Sequence, residues 1–191
     1  VTPAGKTTRI ARGAFGLAVS PDERQALILH QTGVITRVGL KEASIRQTPS
    51  AESVVAAAMQ SARAHSSAYL GVVFSADSRT AYLSGGDDGS VVVFDTRTLQ
   101  KKDSISLNGR FNGTLYEDSF TSDIAMDAKK NQLLVLDRAN FRMVRIDLAT
   151  RKILASIPVG RIPFGIALSR DGSRAFVANV GLYEYPLIPG V

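Results

Sequence analysis

The side chains best suited to chemistry are few and far apart. His30 and His65 are the only two histidines and there is no cysteine, which excludes disulfides, thiolate metal sites and a cysteine nucleophile. Neither histidine has a partner at metal-ligand spacing, and no H-E-x-x-H, G-x-S-x-G or phosphate-binding glycine loop occurs. Both are expected to be ordinary packed or solvated residues. The carboxylates are more numerous but regular. Asp22, Asp77 and Asp171 recur at one kind of turn, and Asp95 and Asp147 at the end of one kind of strand; a group that every unit repeats is expected to build the unit. Asp87 and Asp88 in GGDDGS offer oxygen atoms to calcium but lack the alternating ligands of a calcium loop, so turn chemistry is the expectation. No catalytic residue, metal ligand or cofactor is assigned.

Arginines and aromatics are the remaining candidates. Arg12 with Phe15, His65 with Tyr69, Asp118 with Phe120, and Arg161 with Phe164 stand in successive connecting segments. An arginine beside an aromatic ring can hold an anionic or planar group by charge and stacking. Arg12 and Arg161 occupy matching positions, and with Tyr69 and Phe120 they form the candidate ligand-binding set. Phe15 and Phe164 are expected to wedge between structural units as core.

What must position these residues is a repeat. FGLAVSPDE from Phe15, LGVVFSADS from Leu70, SDIAMDAKK from Ser122 and FGIALSRDG from Phe164 share a glycine or aspartate step, an apolar run and a polar turn. A fixed-period unit of this kind cannot bury its own apolar face and must stack on neighbours. After each turn comes a second apolar run, then a third strand at Val34 to Val38, Val91 to Asp95 and Met143 to Leu148. A fourth, outer strand is expected at Ser44 to Gln47, Asp103 to Leu107 and Ile153 to Ile157. Four antiparallel strands per unit predict an all-β propeller. Units are expected over 14–50, 68–107, 120–158 and 162–191, with the outer strand of a preceding unit at 7–11.

The first-strand positions Gly16, Gly71, Asp123 and Gly165 are separated by 55, 52 and 42 residues, so the first two units carry insertions. SVVAAAMQSARA within 51–66 is rich in helix formers and predicts a short helix. NGRFNGTLYEDS, residues 108–119, reads as a long loop and a place for binding residues.

With the strands assigned, SIPVGRIPFGIALSRDGSRAFVANVG from Ser156 to Gly181 resembles the YVTN repeat of bacterial seven-bladed propellers. Its Val-Gly-x-x-Pro-x-Gly-Ile-Ala run, Ser-x-Asp-Gly turn and Phe-Val-Ala-Asn ending carry the resemblance. SGGDDGSVVVFDTRT also looks like the WD40 pattern. The second unit lacks the proline before its first strand, and the third has Ser-Asp in place of the glycine step. Four units fit either a small ring closed by the N-terminal strand or an arc of a longer propeller, and the insertions favour the arc. Such a resemblance implies a fold and leaves function to the site. Together with the lack of any acid-base or metal constellation, the resemblance leads to the expectation of a non-catalytic binding or scaffolding propeller of the bacterial cell envelope, periplasmic or extracellular, within a longer protein. The alternatives it implies are the propeller portion of a lactonase-like or phosphoesterase-linked hydrolase, and a DNA-binding propeller. In propellers the segments holding Arg12, Tyr69, Phe120 and Arg161 converge at the channel mouth.

Composition bounds the partners. With 45% hydrophobic and 21% charged residues the chain is an ordinary globular one, and no eighteen-residue apolar run predicts a membrane span. The opening VTPAGKTTRI lacks the layout of a signal peptide, although a start at Val1 also fits removal of a targeting segment. The net charge of +6 suits a polyanionic ligand or nucleic acid, but the cations are spread along the chain and a solvated basic surface is expected. Protein partners and self-association through exposed blade faces complete the expectations.

Overall fold

A computed structural model describes residues 7, 9–31, 33–49 and 69–181. The first sheet is β1 (Ala14–Val19), β2 (Gln25–His30), β3 (Ile35–Gly39) and β4 (Ile45–Thr48). The second is β5 (Val72–Phe74), β6 (Thr80–Ser84), β7 (Ser90–Asp95) and β8 (Gln100–Ser106). A separate hairpin follows, β9 (Gly109–Phe111) and β10 (Thr114–Tyr116). The third sheet is β11 (Thr121–Asp127), β12 (Gln132–Asp137), β13 (Arg142–Asp147) and β14 (Ile153–Pro158). The last strands are β15 (Pro163–Leu168) and β16 (Ala175–Asn179). Each sheet is an antiparallel meander in sequence order, and the first strands adjoin, β1 by β5, β5 by β11 and β11 by β15. This is the stacking of propeller blades around an axis.

The helix expected within 51–66 lies outside the described residues, as do parts of the strand expected at 7–11 and of the unit expected over 162–191. The long loop expected over 108–119 is instead largely the β9–β10 hairpin. Asn112 and Gly113 both take positive φ, 46° and 84°, which is the backbone that a two-residue hairpin turn requires and that Asn-Gly favours.

The middle strands read as continuous apolar runs because both faces are covered. In β12, Leu133 and Val135 pack with Val91, Val93 and Ile105 of the second sheet. The alternate residues Leu134 and Leu136 pack with Ile166, Leu168 and Val177 of the next strands. Leu27 and Leu29 meet Ala81, Leu83 and Phe94 in the same way. Each fully buried leucine is worth roughly 1.5–3 kcal/mol, so these seams between sheets hold the array together.

The glycine step sets how closely the sheets approach. A Cβ at Gly16 would collide with the Leu70 carbonyl, and one at Gly71 with the Asp123–Ile124 backbone. In the third unit the aspartate replaces that contact with bonds. Asp123 Oδ2 accepts from Ile166 N at 3.0 Å, and the Ser122 hydroxyl donates to the Pro163 carbonyl at 3.0 Å. Burial raises the Asp123 carboxyl above its ordinary value, against the two backbone amides that lower it.

Candidate ligand-binding face

Antiparallel meanders have two ends. The connections between sheets and the turns between second and third strands lie at one end, the mouth end; the hairpin turns after β1, β5, β11 and β15 lie at the other. At the mouth end the last residue of each second strand is polar: His30, Ser84, Asp137 and Asn179. The first three tie a local connection. His30 Nδ1 donates to the Arg12 carbonyl at 3.1 Å, leaving Nε2 to accept from the Thr36 hydroxyl at 2.8 Å. Ser84 Oγ accepts from Gly71 N at 2.8 Å, and Asp137 Oδ1 accepts from Phe120 N at 3.1 Å. The buried Oδ1 of Asn179 has no hydrogen-bond partner among the described residues. His30 is therefore a packed residue, as expected.

Across the first three sheets this end carries a row of rings. Phe15 and Tyr69 lie 5.2 Å apart between centroids, and Tyr69 meets Phe120 edge-on at 4.9 Å and 84°. Arg138 closes the row: its guanidinium sits 5.7 Å from the Phe120 centroid and donates to the Tyr69 hydroxyl at 3.3 Å. All four side chains are part-exposed. The row can accept a planar or apolar group against its rings and a carboxylate at its cationic end.

The β9–β10 hairpin stands beside this row and is fixed from below. Arg142 is buried at 2% exposure and pairs with the fully buried Asp137 at 2.8 Å. Its Nη2 donates to the Leu107 carbonyl at 2.7 Å and the Ser119 hydroxyl at 3.3 Å, and its guanidinium covers the Tyr116 ring at 3.4 Å. Asn140 adds bonds to the Glu117 carbonyl and to Ser119. The hairpin tip, with Leu115 half exposed at 50%, is thus held on a rigid base.

The structure brings together two of the four sequence candidates, Tyr69 and Phe120. It places Arg161 elsewhere, 5.9 Å over the Phe141 ring, and Arg12 is an exposed residue whose carbonyl serves His30. Phe15 joins the ring row, so its expected role as a wedge is shared with a part-exposed one. Sequence reasoning missed Arg138, Arg142 and the hairpin. The Asn112-Gly113 pair was the available signal for the hairpin; an arginine at a strand start carries no such signal, because it reads as solvated.

The recurrent carboxylates are turn builders. Asp22, Asp77 and Asp171 each accept from the serine two residues before, at 2.6 Å, and that serine bond is the main cause that lowers each carboxyl, Asp171 to about 2. Asp95, lowered to about 2 chiefly by the Thr98 amide, and Asp147, lowered chiefly by the Thr150 amide, cap the turns after the third strands.

No family model and no curated protein matches the sequence. Solved structures do. Hydrazine synthase of Kuenenia stuttgartiensis is similar with a TM-score of 0.65 and 15% identity, over 95% of this chain and 46% of that one. Dihydro-heme d1 dehydrogenase NirN in complex with DHE gives 0.63 and 17%, over 88% and 33%. The RRP9 WD40 repeats give 0.58 and 15%, over 83% and 42%. The fold is a β-propeller fold. Identities this low carry the fold alone, and the chain spans less than half the length of each of these structures.

Proposed function

We propose that this chain is a non-catalytic binding and scaffolding propeller, of YVTN type with four units, within a longer protein of the bacterial cell envelope. Its partner is a protein that docks on the mouth end, across Tyr69, Phe120, Arg138 and the β9–β10 hairpin, with Arg12 and Arg161 flanking. The observation that carries this reading is the hairpin clamped by buried Arg142 beside a continuous row of rings. An insertion that served only to connect two sheets would have no need of a buried ion pair, since desolvating two charges costs several kcal/mol per ion. Rigid aromatic and arginine groups at a pre-formed surface are the usual anchors of protein interfaces. The WD40 likeness of the fold is in keeping with this use.

The test is photo-crosslinking in the native cell, with a photoreactive residue replacing Leu115 on the hairpin or Leu40 at the opposite end. The expected result is one discrete protein adduct from Leu115, lost when Tyr69→Ala is added, and none from Leu40. Adducts of equal yield from both positions, or an adduct at Leu115 that is indifferent to Tyr69→Ala, would refute the reading.

A further inference from the structure

The turn end of the sheets carries a second site, on residues separate from the mouth. Between the first two sheets lies a polar cleft of about 640 Å³, within the range of ligand pockets, roughly 300–1,000 Å³. Its floor is built around buried Ser78. The Ser78 hydroxyl accepts from Asp22 N at 3.2 Å, and its carbonyl accepts from Gln25 Nε2 at 3.1 Å and the Thr96 hydroxyl at 2.8 Å. Arg37 reaches across from β3 to donate to the Thr96 carbonyl at 3.1 Å. The bonds from Asp22, Gln25 and Arg37 cross from one sheet to the other, so the cleft has a fixed shape.

Five cations line it: Arg24, Arg37, Lys41, Arg79 and Arg97. They face three carboxylates, of which Asp22 and Asp77 are already held by serine hydroxyls and by the Arg24 and Arg79 amides. Among the described residues none of the five cations is within ion-pair distance of a carboxylate. The corresponding cleft between the third sheet and β15–β16 is different. It is about 210 Å³, and its Lys130 is paired with Asp127 at 2.9 Å.

Guanidinium groups that outnumber the nearby carboxylates and, among the described residues, form no close ion pair over a rigid polar floor match oxyanions, because each offers parallel N–H donors to two oxygens. We propose that the cleft between the first two sheets binds a small polyvalent anion of the phosphate class, with Arg24, Arg79 and Arg97 as its direct ligands and Arg37 fixing the wall. The site spans residues more than fifty positions apart in sequence, which is why the cations look scattered along the chain. It is independent of the mouth face and of the partner proposed for it.

Titration calorimetry of the full chain with pyrophosphate at low ionic strength tests this directly. One saturable site is expected. Arg79→Gln combined with Arg97→Gln is expected to weaken it by about tenfold or more, since two charge-assisted contacts are lost. Arg145→Gln combined with Arg174→Gln, in the smaller cleft, is expected to leave it unchanged. Circular dichroism checks that each variant is folded, and Arg24→Gln, on an exposed turn, gives the same reading if the first double variant unfolds. Absence of saturable pyrophosphate binding, or equal losses in the two double variants, would overturn the proposal.

Discussion

At the turn end, Ser20, Ser75 and Ser169 close their hairpins with the same bonds, while at the mouth end the second strands finish on His30, Ser84, Asp137 and Asn179. Each of the three serines donates to the aspartate two residues on and accepts the amide five residues on, at 3.0–3.1 Å. The four mouth residues share a position but not one bonding pattern: Ser84 and Asp137 each accept an amide at the entry to their own unit, His30 holds a carbonyl, and the buried Oδ1 of Asn179 has no partner among the described residues. A need common to every sheet, the reversal of the chain, is met by one device. The mouth end answers to something that differs from sheet to sheet: a carbonyl to hold, an amide to hold, or a hairpin to anchor. Recurrence therefore marks scaffold, and divergence marks the end where each sheet answers to its own local contacts. The third unit shows the boundary, since Asp127 replaces the serine there and takes Lys130 as its partner.

The comparison breaks most visibly at the buried pair. Arg142→Met removes the charge that compensates Asp137 and is expected to cost about 3–5 kcal/mol, read by urea denaturation. It is also expected to release the hairpin, seen as loss of the Leu115 crosslink. A loss no larger than that at an exposed turn would mean that the two ends are equally tolerant. Next in size is Ser75→Ala. It removes the bonds that close one hairpin and is expected to cost about 1 kcal/mol, with Ser20→Ala and Ser169→Ala adding independently because they lie in separate units. Strong non-additivity in the triple variant would count against one repeated local device.

The smallest effect is in pH. Asp171, at about 2 in the folded chain against 3.8 ordinarily, contributes stability that is present above the ordinary value and lost as pH falls toward 2. Asp123 has the opposite sign: its carboxyl is raised by burial, so acidification through its titration favours the folded state. Thermal unfolding followed from pH about 6 to about 2 is expected to show a shallower acid loss in Asp171→Asn and a steeper one in Asp123→Asn. Identical profiles for both variants and the parent would remove the assignment.

The strand register was legible because it depends on residues near one another in sequence. The Gly16, Gly71 and Gly165 steps, the serine-aspartate turns and the apolar runs repeat at blade length, and the sheets stand where that repeat puts them. Of the site, Tyr69 and Phe120 were legible as aromatics on successive connections. Arg161 was read as their companion from its position in the repeat, yet it stacks on Phe141. Position in a repeat fixes the backbone, and the side chain of a long arginine then finds whichever ring its neighbouring turn provides. The hairpin was legible in principle from Asn112-Gly113, but its flanking strands are three residues each, too short for alternation to show.

By itself, then, the sequence determined an all-β array, its turns and the alternating faces that bury one sheet against the next, since hydrogen-bonded strands and tight turns are set by local residue type. Only the tertiary structure decided which distant side chains meet. It put Arg142 under the hairpin, aligned Phe15, Tyr69 and Phe120 in one row, and gathered Arg24, Arg37, Lys41, Arg79 and Arg97 around one cleft. Those meetings follow from the packing of one sheet on another, and a linear period carries no record of which ends of neighbouring sheets face each other.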